Sequence, residues 1–263
     1  MKRFIVSIVS ILSLCFTAYG QRILFEKDTI ANTVINLRRD TVIKGIPQTL
    51  TGTGMFISKG DKLFIVTAGH VAKDIDFKGY VVLKGHDDKP IKINITDLLL
   101  NNTVKWKANK NADVSVLELH PKKWIFDEGY LNNRFLPSSI FYDSLKSISR
   151  EVILTTFGFP LGLGISGFFS PLTYRTFASS GLITMSRFDN KKLATFILLE
   201  NPSTGGYSGG PVFDLGKIET GIMIMTKGTG TICYGLIHGT ISDDTGGKIA
   251  AITPSFYILE LLN

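Results

Sequence analysis

The segment from Gly205 to Pro211 carries the residue types best suited to covalent chemistry. It places Ser208 among four glycines and one tyrosine. A serine that attacks a carbonyl needs an accessible hydroxyl and N–H donors for the oxyanion that forms. Glycine permits the backbone conformations in which neighbouring N–H groups converge on one oxygen atom. The segment therefore predicts Ser208 as a nucleophile, with the backbone N–H groups of Gly206 and Ser208 as an oxyanion hole.

A serine nucleophile also needs a general base, and the chain has four histidines. His70 follows an apolar, strand-like run and two small residues, a corner that would hold an imidazole at the edge of a sheet. His86 and His120 lie in polar surroundings that are typical of the surface. His238 follows an apolar pair late in the chain, which favours a structural or pocket-wall role. His70 is therefore the predicted base.

Asp113 is the carboxylate best placed to orient that base. It stands at the start of a mostly apolar strand pattern over residues 113–119. A carboxylate that is partly buried there costs free energy unless it is hydrogen-bonded. The Nδ1–H group of His70 is the obvious donor, and this bond would fix the imidazole tautomer that accepts the serine proton.

The three candidates follow one another as His, Asp and Ser, separated by 43 and 95 residues. This order resembles that of the chymotrypsin/trypsin-like serine peptidase family. The matching motifs are Thr67–His70, Asp113–Leu117 and Gly206–Pro211, and the resemblance extends from about Thr51 to Pro254. It implies a serine endopeptidase that hydrolyses peptide bonds through a Ser-His-Asp triad and an acyl-enzyme.

Two further segments resemble the bacterial HtrA/Deg-like and glutamyl-endopeptidase-like branches of that family: Phe157–Pro160 and Ala250–Ser255. No residues remain after Asn263 for a PDZ domain, so we expect the resemblance to concern the peptidase domain alone. One position departs from the animal trypsins. Tyr207 stands where they carry an Asp that pairs with a new N-terminal amine, so no activation switch of that type is expected.

The fold class that follows is all-β. Short apolar or alternating runs recur between Gly, Asn and Asp residues, as expected for strands joined by tight turns. The resemblance implies two six-stranded antiparallel β-barrels with the triad in the cleft between them, and a short C-terminal helix. We place the first barrel at about residues 33–125, the second at about 145–253 and the helix at about 254–262.

The substrate pocket is read from the same resemblance. Pro202 stands where trypsins place an Asp that selects basic side chains, so a preference for Lys or Arg lacks its usual anion. Met225 belongs either to the core or to an apolar pocket wall. Lys227 and His238 would favour an acidic side chain, as a pocket histidine does in glutamyl endopeptidases.

The N-terminus predicts export. Lys2 and Arg3 precede an apolar run of 15 residues, Phe4–Ala18, and a small-x-small ending at Gly20. This is the layout of a secretory signal peptide over residues 1–20, with residues 21–263 as the exported chain. The apolar run is shorter than the ~20 residues that span a bilayer, so no stable membrane insertion is expected after cleavage. The predicted location is secreted or periplasmic, and bacterial.

Composition excludes several other classes of protein. The formal net charge is +7, but the Lys and Arg residues are scattered, whereas a nucleic-acid binder concentrates them on one stripe. No nucleic-acid partner is therefore predicted, and the expected partner is a protein or peptide substrate. Only Cys233 remains after residue 20, so no internal disulfide is possible there. The histidines lack ligand-type spacing, so neither a metal nor a cofactor is predicted.

Two other functions use similar residues. A catalytically silent binding module on the same fold would keep the motifs without a working oxyanion loop, and it stays open as an alternative. An esterase with a Gly-x-Ser-x-Gly elbow requires an α/β sheet and a histidine last in the chain order. His70 precedes Ser208 and the surrounding pattern is all-β, so the esterase is rejected.

Overall fold

The computed structural model describes residues 23–220, 223–242, 244 and 248–263, so the predicted signal peptide lies outside the described residues. Strands dominate, and the helices are short. The strands are β1 (Val34–Ile43), β2 (Ile46–Lys59), β3 (Lys62–Thr67), β4 (Tyr80–Lys84), β5 (Pro90–Asn94), β6 (Lys107–Ala108), β7 (Ser115–Leu119), β8 (Leu136–Pro137), β9 (Leu154–Gly158), β10 (Leu172–Thr176), β11 (Ala178–Ser186), β12 (Leu193–Leu199), β13 (Pro211–Asp214), β14 (Lys217–Thr220), β15 (Met223–Thr226), β16 (Ile232–Ser242) and β17 (Lys248–Pro254). The helices are α1 (Lys27–Thr33), α2 (Gly69–Asp74), α3 (Lys123–Asp127) and α4 (Phe256–Leu262).

Two large sheets form the architecture. The first has eight strands, in the order β5-β4-β1-β2-β3-β7-β6, with β8 paired parallel to β2. The second has seven strands, in the order β10-β9-β13-β16-β17-β12-β11, and β14 and β15 pair as a separate hairpin. The all-β class and the C-terminal helix are confirmed. The strand numbers are eight and seven rather than six each, and neither sheet closes into a ring in the part of the chain that the structure describes.

The central strands of the first sheet are buried on both faces. On β2, Met55 and Ile57 face the core between the sheets, whereas Phe56 faces the interior of the first sheet. On β3, Val66 and Ile65 divide in the same way. Successive side chains on a strand point to opposite faces, so a strand that is buried on both sides reads as a continuous apolar run. The apolar runs of β2 and β3 therefore predicted these strands from the sequence.

A shared hydrophobic core holds the two sheets together. Met55 and Val66 from the first sheet belong to the same buried cluster as Phe157 and Phe213 from the second. The C-terminal helix adds Ile258 to this cluster. The core therefore fixes the position of one sheet relative to the other, which matters because the candidate site draws residues from both.

Replacing Phe213 by alanine is expected to lower the free energy of unfolding by about 3–5 kcal/mol, the usual cost of removing a buried ring. Its side chain is 0% exposed and meets the Phe157 ring edge to face at 5.8 Å. The matched control is Phe168→Ala, because the Phe168 side chain is 70% exposed. Urea unfolding of both variants checks the prediction, and equal losses would contradict it.

Helices are more frequent than the sequence indicated. The one helix predicted above was the C-terminal helix, but α2 and α3 lie within the first half of the chain. Both are short, with 6 and 5 residues, and a helix of one or two turns leaves almost no periodicity in the sequence. None of the described helices is long and apolar enough to cross a bilayer.

Candidate active site

Two neighbouring strands bring His70 and Asp113 together. β3 and β7 are antiparallel partners, and Thr67 at the end of β3 lies opposite Ser115 at the start of β7. The chain leaves β3 at Thr67 and turns into α2, whose second residue is His70. It enters β7 from Asp113. The end of one strand and the start of its antiparallel neighbour share a sheet edge, so both side chains reach the same point.

The contact between them has the geometry of an oriented base. Nδ1 of His70 lies 2.7 Å from Oδ2 of Asp113, and the His70 backbone N–H donates to Oδ1 at 2.9 Å. The Asp113 carboxylate is thus hydrogen-bonded to both the ring and the backbone of His70. Gly69 permits this approach, because a Cβ at that position would lie 2.9 Å from Oδ1 of Asp113.

Thr53, a fully buried residue of β2, anchors the Ser208 loop to the first sheet. Its N–H donates to the Ser208 carbonyl at 2.8 Å, and its hydroxyl donates to the Gly206 carbonyl at 2.6 Å. On the other side, the Gly209 N–H donates to the Ile237 carbonyl of β16 at 2.8 Å. The loop is therefore held from both sheets, and its backbone has little freedom to move.

The Ser208 hydroxyl lies in a small cleft that His70 also lines. The cleft has a volume of about 170 Å³ and reaches Gly206 on one wall and Leu50 on another. In this structure the hydroxyl donates to the backbone carbonyl of His238 at 3.3 Å. No hydrogen bond joins it to the His70 ring among the described residues. A Ser–His hydrogen bond would therefore require the Ser208 hydroxyl to leave the His238 carbonyl.

The backbone N–H groups of Gly206 and Ser208 are the predicted oxyanion donors. Within the described part of the chain, neither donates to a protein acceptor. Gly206 adopts φ +97°, a conformation that favours glycine, and a Cβ there would lie 2.3 Å from the Phe159 carbonyl oxygen. Of the two predicted oxyanion donors, Gly206 thus occupies a conformation that only glycine fits.

Asp113 has two further partners. Nδ1 of His238 lies 2.6 Å from Oδ2, and Nη2 of Arg187 donates to Oδ1 at 2.9 Å. Burial raises the pKa of this carboxyl, but the hydrogen bonds from His238 and then His70 outweigh it, and the net result is a pKa well below the usual range. The carboxylate is therefore charged, and four N–H donors fix its orientation.

His238 reaches Asp113 because of a β-bulge. The register between β16 and β17 shifts between Ile237 and Gly239, so His238 has no opposite residue. A bulge re-aims the side chain at that point. The ring is 1% exposed and packs against Phe188 and Phe196, with ring centroids 4.2 and 4.7 Å away.

His70, Asp113 and His238 bring ligand-type atoms within 4.8 Å of one another, a spacing at which a metal ion could bind. A bound zinc ion would lie about 2.0–2.2 Å from each ligand atom. Instead, both Nδ1 atoms lie at hydrogen-bond distance, 2.6 and 2.7 Å, from the same carboxylate oxygen. The cationic Arg187 binds the other oxygen. The arrangement fits a hydrogen-bonded carboxylate and does not fit a metal centre.

Of the four side chains predicted to line the substrate pocket, two contact other side chains of the protein and two are exposed. His238 contacts Asp113, and the Lys227 ammonium pairs with Asp214 at 2.9 Å. The proposed role of these two side chains in an acid-selecting pocket stays a prediction. Met225 is 53% exposed on the β14–β15 hairpin, and Pro202 is exposed ahead of the Ser208 loop.

Comparison with known proteins gives a fold and no sequence relative. No protein-family model and no curated protein sequence matches the chain. Among solved structures, the serine endoprotease from Yersinia pestis matches with a TM-score of 0.50 and 16% identity, over 89% of this chain and 63% of that one. The HtrA-type protease AlgW with a decapeptide matches with a TM-score of 0.53 and 15% identity, over 89% and 64%. The fold is a trypsin-like protease fold.

The chain spans less than two thirds of the length of these two proteases, 63% and 64%. At 15–16% identity the likeness establishes the fold and leaves the activity to be argued from the site. The geometry around Ser208, His70 and Asp113 therefore carries that argument.

Two residues of the site were missed from the sequence. Thr53 stands in a run of small and polar residues whose only signal is the alternation of Thr and Gly. Arg187 lies in the polar link between β11 and β12, where a basic residue normally faces solvent. Its burial follows from the packing of one sheet on the other, and no pattern in the sequence records that.

Proposed function

We propose that this chain is an exported serine endopeptidase that hydrolyses peptide bonds with Ser208 as nucleophile, His70 as general base and Asp113 as the residue that orients the base. The observation that carries the proposal is the 2.7 Å bond from His70 Nδ1 to a buried, charged Asp113, beside a cleft that His70 shares with Ser208. The trypsin-like fold supports the same assignment.

The chemistry follows from the tautomer. With Nδ1–H bonded to Asp113, Nε2 of His70 carries the lone pair and faces outward to accept a proton. Ser208 turns from the His238 carbonyl toward Nε2 and gives up its proton as Oγ attacks the scissile carbonyl. His70 then protonates the leaving amine. A water molecule repeats the sequence on the acyl-enzyme and releases the second product.

The Gly206 and Ser208 N–H groups stabilise the tetrahedral intermediate in this proposal. They lack protein acceptors among the described residues, so they need not break a bond to bind the oxyanion. Preorganised donors of this kind are worth most where the backbone cannot relax. The contacts of Thr53 and Ile237 with the loop supply that rigidity.

The substrate is proposed to be a peptide or protein segment bound across the cleft between the two sheets. Pro202, Met225, Lys227 and His238 stay the proposed pocket residues, of which Lys227 and His238 make internal contacts in this structure. Export rests on the signal-peptide pattern of residues 1–20.

One observation favours the second candidate, a catalytically silent binding module. The Ser208 hydroxyl donates to the His238 carbonyl at 3.3 Å and not to the base. If that bond persisted in solution, the fold would present a peptide cleft without a nucleophile. Catalytic hydrogen bonds are often long or misaligned before substrate binds, so this observation alone does not decide between the two.

Labelling with an organofluorophosphonate probe separates the two candidates. An endopeptidase is expected to form a covalent adduct on Ser208, because the probe needs the nucleophile, the base and the oxyanion donors together. The Ser208→Ala variant is expected to remain unlabelled, and His70→Ala to label far more slowly. A wild-type protein that folds and does not label would support the binding module. Cleavage of a peptide library by the labelling-competent protein then defines the pocket.

A further inference from the structure

Arg187 joins the candidate site from an unexpected direction. It lies at the tip of the β11–β12 hairpin of the second sheet, yet its Nη2 donates to Oδ1 of Asp113 in the first sheet at 2.9 Å. The same guanidinium holds Asp189 through two bonds of 2.8 Å, one from Nε and one from Nη2. The side chains of Arg187, Asp189 and Asp113 are 6%, 7% and 0% exposed. Two buried carboxylates thus share one buried cation.

The charges around this cluster balance only when both imidazoles are neutral. Asp113 and Asp189 contribute two negative charges. Arg187 contributes one positive charge, and Lys73 a second, 3.4 Å from Asp189 and 62% exposed. Burial raises the pKa of Asp189, but the hydrogen bonds and charge of Arg187, together with the charge of Lys73, outweigh it, so the pKa lies below its ordinary value. Asp189 is therefore charged, and its negative charge partly cancels the electrostatic effect of Arg187 on Asp113.

Asp113 faces charged and titratable groups from three elements. His70 reaches it from α2, His238 from β16 and Arg187 from the β11–β12 hairpin. Behind Arg187 stand Asp189 and then Lys73. Any proton that His70 takes up must coexist with all of these charges. In a buried setting a unit charge a few ångströms away changes such an equilibrium measurably.

We propose that the Arg187–Asp189 pair is a positioning element that sets the pH range in which His70 is free to act as a base. Arg187 fixes the orientation of the Asp113 carboxylate and offsets part of its negative charge, which keeps a proton from binding His70 too tightly. Asp189 opposes that effect by offsetting Arg187. The inference rests on the proposed function, because it assigns a role within the same site.

Phe188 packs the tip of the hairpin against the two imidazoles, which holds Arg187 and Asp189 near them. Its ring lies 5.1 Å from the His70 ring and 4.2 Å from the His238 ring, measured between centroids. The residues on either side, Arg187 and Asp189, are thereby held at the back of the site. The hairpin tip acts on His70 through Asp113 and makes no contact with the Ser208 loop in any hydrogen bond of the described residues.

The signs of two charge-removing substitutions follow. Arg187→Gln removes a positive charge, so His70 holds its proton to higher pH and the acidic limb of activity moves to higher pH. Asp189→Asn removes a negative charge, so the limb moves to lower pH. The expected size is on the order of one pH unit in each direction. Arg187→Lys keeps the charge and is expected to restore most of the wild-type profile.

The experiment measures the rate of organofluorophosphonate labelling from pH 5 to 9 in the wild type and these three variants. Lys192→Gln is the matched control, because Lys192 is an exposed cation on the same hairpin and its removal is expected to leave the limb in place. Opposite shifts in Arg187→Gln and Asp189→Asn support the proposal. The proposal is overturned if the acidic limb shifts in the same direction in both variants. It is also overturned if the limb stays in place and only the maximal labelling rate changes.

A second readout separates this inference from the proposed function. The proton NMR resonance of the His70 ring, followed through the same pH range, reports its protonation without any reaction. A protein that never labels would refute the endopeptidase, while opposite NMR shifts in the two variants would still support the charge relation. If Arg187→Gln fails to fold, Asp189→Asn and Arg187→Lys still test the proposal. A His70 titration curve in Asp189→Asn that matches the wild-type curve overturns it.

Discussion

Replacing Asp113 by asparagine is expected to lower kcat by about 10⁴-fold, the loss typical of a misoriented base. Asp113 accepts four N–H donors, two at each oxygen. An amide can accept at one atom only. The Arg187 guanidinium and the His70 backbone N–H are permanent donors, so they select the amide oxygen, and the amide NH₂ then faces both imidazoles.

An NH₂ group at that position forces the wrong tautomer on His70. Its Nδ1 must become an acceptor, which moves the proton to Nε2 and removes the lone pair that Ser208 needs. Turnover of a cleaved peptide and the labelling rate are the two measurements. Asp127→Asn is the matched control, because Asp127 is an exposed carboxylate at the end of α3. Turnover within tenfold of wild type in Asp113→Asn would contradict the assignment of Asp113.

The same substitution is expected to lower stability in a pH-dependent way. The pKa of Asp113 is held below its ordinary value by the His238 and His70 bonds, which outweigh the opposing effect of burial. A carboxyl whose folded-state pKa is depressed stabilises the fold above its unfolded-state pKa, about 3.9, and loses that contribution as the pH falls. The difference in unfolding free energy between wild type and variant should therefore be largest near neutral pH and shrink below about pH 4.

His70, Asp113 and Ser208 could be singled out from the sequence because each lies in or beside a strong local pattern. His70 follows β3 and Asp113 precedes β7, and both strands read as apolar runs in the sequence. Ser208 lies in a glycine-rich loop, a composition that permits N–H groups to converge on one oxygen atom. The chain order then matched a known arrangement. Local signals and order together selected these three side chains as candidates, and their catalytic roles stay a prediction.

The surroundings of Asp113 were not predictable for two different physical reasons. His238 sits at a bulge, and because side chains alternate along a strand, a shift of one residue reverses the face on which a side chain lies. The apolar residues before His238 gave no sign of that shift. Arg187 depends on how one sheet packs on the other, a contact between residues 74 positions apart. Neither its type nor its neighbours distinguish it from a solvated hairpin residue.

The strand count failed for a related reason. A six-stranded barrel was expected for each half, whereas the described residues form sheets of eight and seven strands. Two of the additional strands, β6 and β8, have 2 residues each. Pairs this short are defined by a neighbouring strand and have no period of their own. Strands of this size are formed by tertiary packing, so no sequence pattern predicts them.

Gly206→Ala is expected to lower kcat by about 10²- to 10³-fold, the cost of losing one oxyanion donor. Gly206 has φ +97°, and an added Cβ would lie 2.3 Å from the Phe159 carbonyl oxygen and 2.9 Å from the Leu161 nitrogen. Both neighbours are backbone atoms, so they cannot rotate away. The loop must therefore shift, and the Gly206 N–H moves with it.

Gly205→Ala provides a control one residue away. Nothing lies within 4 Å of a Cβ at Gly205, so this variant is expected to keep a rate close to wild type. The measurements are turnover and labelling rate, together with urea unfolding. The Gly206 variant should lose rate by a larger factor than its fold loses stability, because the displaced N–H acts on the reaction and supports little of the core. Equal rates in the two variants would show that the Gly206 N–H does not bind the oxyanion, and the donor would then have to be sought elsewhere in the loop.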